Sequence, residues 1–346
     1  MPSHKHLVWV LLVPAMTEAA NYSARKAVAD GFEIVQLTDR ERATEVSIVP
    51  SIGNIAYAMT VHRANILWSP FTTLTEMKSK PALCGVPFLA PWANRLDQDA
   101  FYANGKKYSL NTALGNLRRD PNQHPIHGLL LFSPYWKVTR LDADEKSARV
   151  TSRLEFWRYP DLMAQFPFAH SIEMTHRLEN GKLEVETLIE NLSSETMPVG
   201  VGYHPYFQIP GTPRDQWKVH VAARDHLELN PQLTPTGERT PVNLPDPASL
   251  ATTQLDDVFS NLVRGDDGHA VFWAEAGGKK ISVVYGPKYT VAVVYAPPGK
   301  EFICFEPMSA VTNAFNLAHA GIYKELQTIP PGAAWRESFW IQATGF

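Results

Sequence analysis

Cysteine is scarce in this sequence: Cys84 and Cys304 are the only two among 346 residues. That excludes a disulfide framework and any repeated CxxC metal spacing, and it predicts two buried free thiols packing as small hydrophobes. Excess charge of one sign is missing too. Lys plus Arg number 32 against 35 Asp plus Glu, which leaves no electrostatic reason for a polyanionic partner, so no nucleic acid is expected. No apolar run approaches the roughly 20 residues of a membrane-spanning helix. Internal repeats, low-complexity tracts and Gly/Ser-rich linkers are absent as well. What is present is a globular profile: hydrophobic residues make up 45% and charged residues 19%, enough to bury a sizeable core.

The N-terminus stands apart. His4, Lys5 and His6 precede the apolar run Leu7 to Val13, which is followed by the small-residue stretch Pro14, Ala15 and Thr17 to Ala20. That order resembles a short secretory signal peptide, which would make residues 1–20 a leader and the protein periplasmic or secreted. Read instead as a first β-strand or a disordered leader, the same run leaves the protein cytoplasmic.

From about Phe32 onward, short apolar or alternating runs alternate with turn signals. Lys182 to Leu188 sets Leu183, Val185 and Thr187 against Glu184 and Glu186, the period of a half-buried strand. Ile281 to Tyr285 and Val291 to Tyr295 are β-branched and aromatic runs, and Gly286, Pro287 and Lys288 between them suit a hairpin turn. Further strands are expected at Glu33 to Leu37, Glu45 to Val49, Ala148 to Phe156, Ser171 to Arg177, Trp217 to Ala222 and Phe302 to Phe305. Twenty-seven dispersed prolines argue against long helices. The expected fold is all-β, a large antiparallel β-sandwich forming one domain over residues 21–346.

Four segments mix polar groups with aromatics, as a sugar site requires: Pro87 to Asp97, His124 to Gly128, Gly202 to Phe207 and Phe305 to Asn316. Within them His204 is either a satisfied structural histidine or a general acid or base, since imidazole titrates near neutrality. His127 carries the same alternatives. His124 and His127 are a poor metal pair, with Pro125 between them and no third ligand apparent, so no metal is expected there. Glu306, read as standing at a strand end before Pro307, is either a surface acid or a carboxylate facing a cleft. Arg95 is either a solvated charge or a planar donor fork on sugar oxygens.

In order and wording these segments resemble the aldose 1-epimerase, or galactose mutarotase-like, family over most of the chain. The landmarks are Asn94-Arg95, a strand and turn from Phe101 to Tyr108 around Gly105, His127-Gly128 ahead of Trp136, and Asn191 with Met197-Pro198 leading to His204-Pro205-Tyr206-Phe207. Asp256 to Phe259, Glu306-Pro307 with Asn313, and Pro331-Gly332 complete them. The resemblance implies a galactose mutarotase-like supersandwich and an isomerase that interconverts the α and β anomers of a free hexose without a cofactor. It implies Glu306 as catalytic base and His204 as catalytic acid, with Arg95, Asn94, His127 and Asp256 holding the sugar; Asp257 adjoins Asp256 and competes for that role. The wording departs from the galactose-specific branch at Tyr203-His204-Pro205 and Pro307-Met308-Ser309, so the sugar itself is not named by it.

Anomer exchange needs two proton movements and nothing redox: a base takes the proton of the anomeric hydroxyl while an acid supplies one to the ring oxygen. An ionised Glu306 beside a protonated His204 fits, each charge favouring the other. Trp92, Tyr206 and Trp157 are either stacking platforms or core. The partner expected is a small aldose, and the chain is a monomer or homodimer. Three rivals remain. A retaining glycosidase needs two close carboxylates. A hexose-6-phosphate 1-epimerase needs a cationic cluster, for which Arg118-Arg119 are candidates. A non-catalytic carbohydrate-binding protein would not need Glu306 and both histidines.

Overall fold

The computed structural model describes residues 20–346, so the leader reading of residues 1–20, save Ala20, lies outside the described residues. Two large antiparallel sheets face one another. In the nine-stranded sheet the central strands are Lys279–Tyr285, Ala334–Thr344, Lys182–Asn191, His170–Glu179 and Ala148–Glu155, in that spatial order. Lys182–Asn191 alternates as its sequence demands: Leu183 and Val185 face inward opposite Ile341 and Phe339, while the glutamates between them face out.

The second sheet has eight strands, with Ala223–Leu229, Leu255–Leu262, Val291–Ala296 and Ile303–Met308 at its centre. On its far side, Gly202–Tyr203 and Tyr206–Phe207 both pair with Ile303–Met308. The layers interlock through aromatics: Phe305 meets Phe272 at 6.2 Å between ring centroids, and Tyr203 meets Phe339 at 4.7 Å. This is the expected sandwich. A five-stranded sheet from Tyr22–Ala29 to Ala64–Asn65 packs over one end of the nine-stranded sheet. It is tied there by Asn180 N donating to Tyr22 Oη (3.0 Å) and Gly181 N donating to Asp39 (2.8 Å). One apolar cluster runs from Tyr22 to Ile341 and spans all three sheets. Both cysteines are buried and unbridged, as read. Among the described residues no helix is long and apolar enough to cross a membrane.

One local expectation is overturned. Lys279–Tyr285 and Val291–Ala296 do not pair as a hairpin: Tyr285 lies opposite Phe339 and Ala270 in one sheet, whereas Val291 lies opposite Met308 in the other. Residues 286–290 are therefore a crossover between the layers. Turn composition cannot separate the two cases, because a reversal and a crossover ask for the same Gly-Pro chemistry. The pairing partner is decided by the remote strand Ala334–Thr344. Gly286 N donates to Ser338 O (3.1 Å), and a Cβ on Gly286 would run into the Glu337 carboxylate, which also receives Lys288 N.

Candidate active site

Glu306 lies in the middle of Ile303–Met308, not at a strand end as expected, and is 1% exposed. Pro307 does not end the strand, and the reason is local. Ser309 N bonds Val201 O, so the missing N–H of Pro307, two residues earlier, faces the same edge opposite Tyr203, where the pairing with Gly202–Tyr203 ends and a gap before Tyr206–Phe207 begins. His204 and Pro205 fill that gap. The register pairing Gly202 with Met308 and Tyr206 with Cys304 sets His204 directly opposite Glu306. Their side chains meet, His204 Nε2 to Glu306 Oε1 at 3.1 Å.

The electrostatics of this pair differ from the sequence expectation. Burial, the largest influence on each group, pushes His204 down to about 3 and Glu306 well above the carboxylate range; the nearby Asp256 adds to the rise and Arg95 opposes it. Desolvation thus outweighs the mutual attraction expected of an ion pair. The 3.1 Å separation is that of a hydrogen bond through which one proton can pass between Nε2 and Oε1. Glu306 Oε2 and His204 Nδ1 are buried without hydrogen-bond partners.

Two loops complete the surroundings. His127 stands edge-on to His204 with ring centroids 5.6 Å apart, and burial, ahead of its repulsion by neighbouring cationic groups such as Arg95 and Arg118, lowers it well below the ordinary histidine value. Gly128 follows because its φ is +66° and a Cβ would collide with Ala90 O, so the loop that delivers His127 can close only on glycine. Asn94 O accepts from His127 N (2.8 Å), and Asn94 Oδ1 accepts from Arg95 Nη1 (2.9 Å). Arg95 Nε donates to Asp120 (2.7 Å), leaving Nη2 available. Buried Asp120 would be raised by desolvation, but Arg95 and the backbone N–H of His124 hold it below its ordinary value. Asn313, the last polar landmark of the sequence, pins this loop: its N–H donates to Arg95 O (2.9 Å) and its Oδ1 accepts from Asp97 N (3.2 Å).

The two adjacent aspartates separate cleanly. Asp257 is engaged by His226 Nε2 at 2.8 Å. Asp256 shares a row with Tyr295 and Cys304 on the face that carries Glu306. Its tip reaches solvent, yet surrounding protein atoms raise its carboxyl while Arg95 lowers it.

Of the rings singled out in the sequence, Tyr206 stacks on His204 (4.7 Å, 7°), whereas Trp92 is core at 2% exposure. Trp157 is exposed and carries Arg158 over its face, in the turn that follows Ala148–Glu155. Sequence reasoning missed Tyr295, edge-on to His204 at 6.2 Å, and Asp120. No local signal marks either, since both acquire their place through pairing with distant segments. A cavity of about 400 Å³ with Asp225, Arg239, Ser260, Arg264, Tyr323 and Glu325 in its wall opens elsewhere and does not include the His204–Glu306 pair.

Comparison with known proteins follows the same line. A sequence model of the aldose 1-epimerase family matches residues 36–342. The uncharacterized protein YihR of Escherichia coli K12 is 23% identical over 232 residues, 66% of this chain and 70% of its own length. A galactose mutarotase-like protein from Clostridium acetobutylicum aligns with a TM-score of 0.84 at 20% identity, covering 94% of this chain and 99% of that one. For the galactose 1-epimerase of Lactobacillus acidophilus the TM-score is 0.68 at 15% identity, over 94% and 99% of the two chains. At such identities the structural likeness is one of fold.

Proposed function

The chain belongs to the aldose 1-epimerase family and is an isomerase of the galactose mutarotase-like fold; from that premise we propose that it interconverts the α and β anomers of a free hexose, with Glu306 as base and His204 as acid. The observation that carries this reading is the buried His204–Glu306 contact of 3.1 Å, near enough to Arg95 and Asp256 for both to act on the Glu306 carboxyl and edge-on to His127. A bound sugar lies across the pair. The shared proton passes to His204, which frees the Glu306 carboxylate. Glu306 then takes the proton of the anomeric hydroxyl as the C1–O5 bond breaks and C1 becomes a carbonyl, while His204 delivers its proton to O5. Rotation about C1–C2 presents the other carbonyl face, and the steps reverse. Each cycle returns the pair to one proton.

Arg95, held by Asp120 and Asn94, presents a fixed donor, and Asp256 and His127 supply further polar atoms for sugar hydroxyls. A 6-phosphate reading is less well supported: Arg119 is committed to Asp99 (2.8 Å) and Gln123 O, leaving Arg118 alone of the pair. The experiment is polarimetry on freshly dissolved α-D-glucose, α-D-galactose and their 6-phosphates. Faster loss of optical rotation with a free sugar supports the proposal. Acceleration confined to the phosphates moves the substrate, and no acceleration with measurable sugar binding makes the protein a binder.

A further inference from the structure

Cys304 lies one row from Glu306 on the same face of the same strand, with His204 facing both from the opposite edge. Their donor atoms, Sγ, a carboxylate oxygen and an imidazole nitrogen, all lie within 4.8 Å of one another, and all three residues are buried. Tetrahedral zinc with bonds of about 2.0–2.3 Å asks for ligand atoms somewhat under 4 Å apart, a closure within reach of small side-chain rotations. His204 Nε2 and Glu306 Oε1 are already closer than that at 3.1 Å. A second observation points to a ligand: Glu306 Oε2 is fully buried and has no partner, although a buried carboxylate oxygen ordinarily finds one.

We propose that Cys304, His204 and Glu306 form a binding site for one thiophilic divalent cation of the zinc type, whose occupancy blocks the acid–base pair and inhibits the enzyme. The chemistry of the set selects the ion. One soft thiolate, one imidazole and one carboxylate suit zinc or cobalt and give no advantage to magnesium or calcium, which take all-oxygen shells. Charge closes as well: the thiol proton and the proton shared by the pair leave to solvent, and thiolate plus carboxylate cancel the two positive charges, as a dry site requires. Three protein ligands leave a fourth position for water or a sugar hydroxyl. With the metal bound, the Glu306 oxygen and His204 Nε2 are both coordinated, so neither proton step can run. The inhibitory half of this inference rests on the proposed function; the binding half does not.

The experiment therefore reads binding first, without turnover. The purified full chain is titrated with Co²⁺ and the near-ultraviolet thiolate-to-cobalt charge-transfer band is recorded. One equivalent per chain is expected, displaced by Zn²⁺ and unaffected by Mg²⁺. Cys304→Ser should abolish the band and weaken zinc at least about tenfold, whereas Cys84→Ser, at the only other thiol, should keep both. Absence of the band, or its persistence in Cys304→Ser, overturns the site whatever the sugar chemistry proves to be. With the site established, Zn²⁺ should suppress mutarotation, a chelator should restore it, and saturating sugar should protect. Cys304→Ser should turn over normally and resist zinc. Full activity at saturating zinc would overturn the inhibitory role and leave the proposed mutarotation untouched.

Discussion

Glu306 and His204 make the strongest claims at the scale of single residues. Replacing Glu306 by Gln removes the base while keeping shape, and kcat should fall by about two or more orders of magnitude with sugar binding retained. Polarimetry with a binding titration checks this, and near-normal turnover would remove Glu306 from the mechanism. The pH profile follows from the pair. Burial lowers His204 to about 3 and raises Glu306, so the singly protonated pair should persist through neutrality. Corrected for the uncatalysed rate, kcat/KM should be flat there, with an acidic limb well below the ordinary histidine value of about 6.5. A limb centred near 6.5 that disappears in His204→Asn would mean that His204 titrates as a solvated imidazole. Asp120 acts through Arg95 and touches no reacting atom. Asp120→Asn should raise KM about tenfold or less with kcat nearly unchanged, and Asp120→Glu should recover part of the loss. Equal losses in kcat and stability would reduce Asp120 to a structural role.

Strands impose their own acid sensitivity. His170–Glu179 carries two buried histidines, His170 with Nδ1 against Phe168 O and His176 with neither ring nitrogen bonded; burial brings each down to about 4. The sign follows directly. Below the unfolded value of about 6.5 the unfolded chain binds protons that these folded rings refuse, so stability is lost as pH falls from about 6.5 to about 4, by up to ~3 kcal/mol per ring. His176→Leu places an apolar group where no polar partner exists, between Val150 and Val185 in the ladder. It should flatten the acid-side loss by about half of the two-ring total. Urea unfolding at pH 7 and pH 5 tests this, and an unchanged pH slope would contradict it. The alternation of this strand and of Lys182–Asn191 was legible in the sequence because a period of two is written locally. The buried orphan imidazole was not, because His176 gains its neighbours from both adjacent strands.

The layers of the whole molecule are held by faces that only tertiary packing brings together. Phe305 is fully buried, contacts Phe272 across the sandwich and Phe207 of its own sheet, and backs the strand whose other face carries Glu306. Phe305→Ala should cost about 3–5 kcal/mol and loosen the Glu306 strand, lowering the melting temperature together with activity. Phe305→Leu should recover most of the stability. A calorimetric scan of both variants decides it; an unchanged transition in Phe305→Ala would mean that the sheets are held elsewhere.

By itself the sequence determined the all-β class, most strand positions, the two free buried thiols, and the landmark residues Asn94, Arg95, His127, His204, Asp256 and Glu306. These are short-range facts: alternation, turn chemistry and motif order are properties of neighbouring residues. Tertiary structure alone decided that residues 286–290 cross between sheets, that Asp256 and not Asp257 shares the face of Glu306, and that Asp120 braces Arg95. It also decided that His204 lies directly opposite Glu306, about a hundred residues further along the chain. Register between remote strands and the desolvation that follows burial are set by the assembled core, and so no local pattern records them.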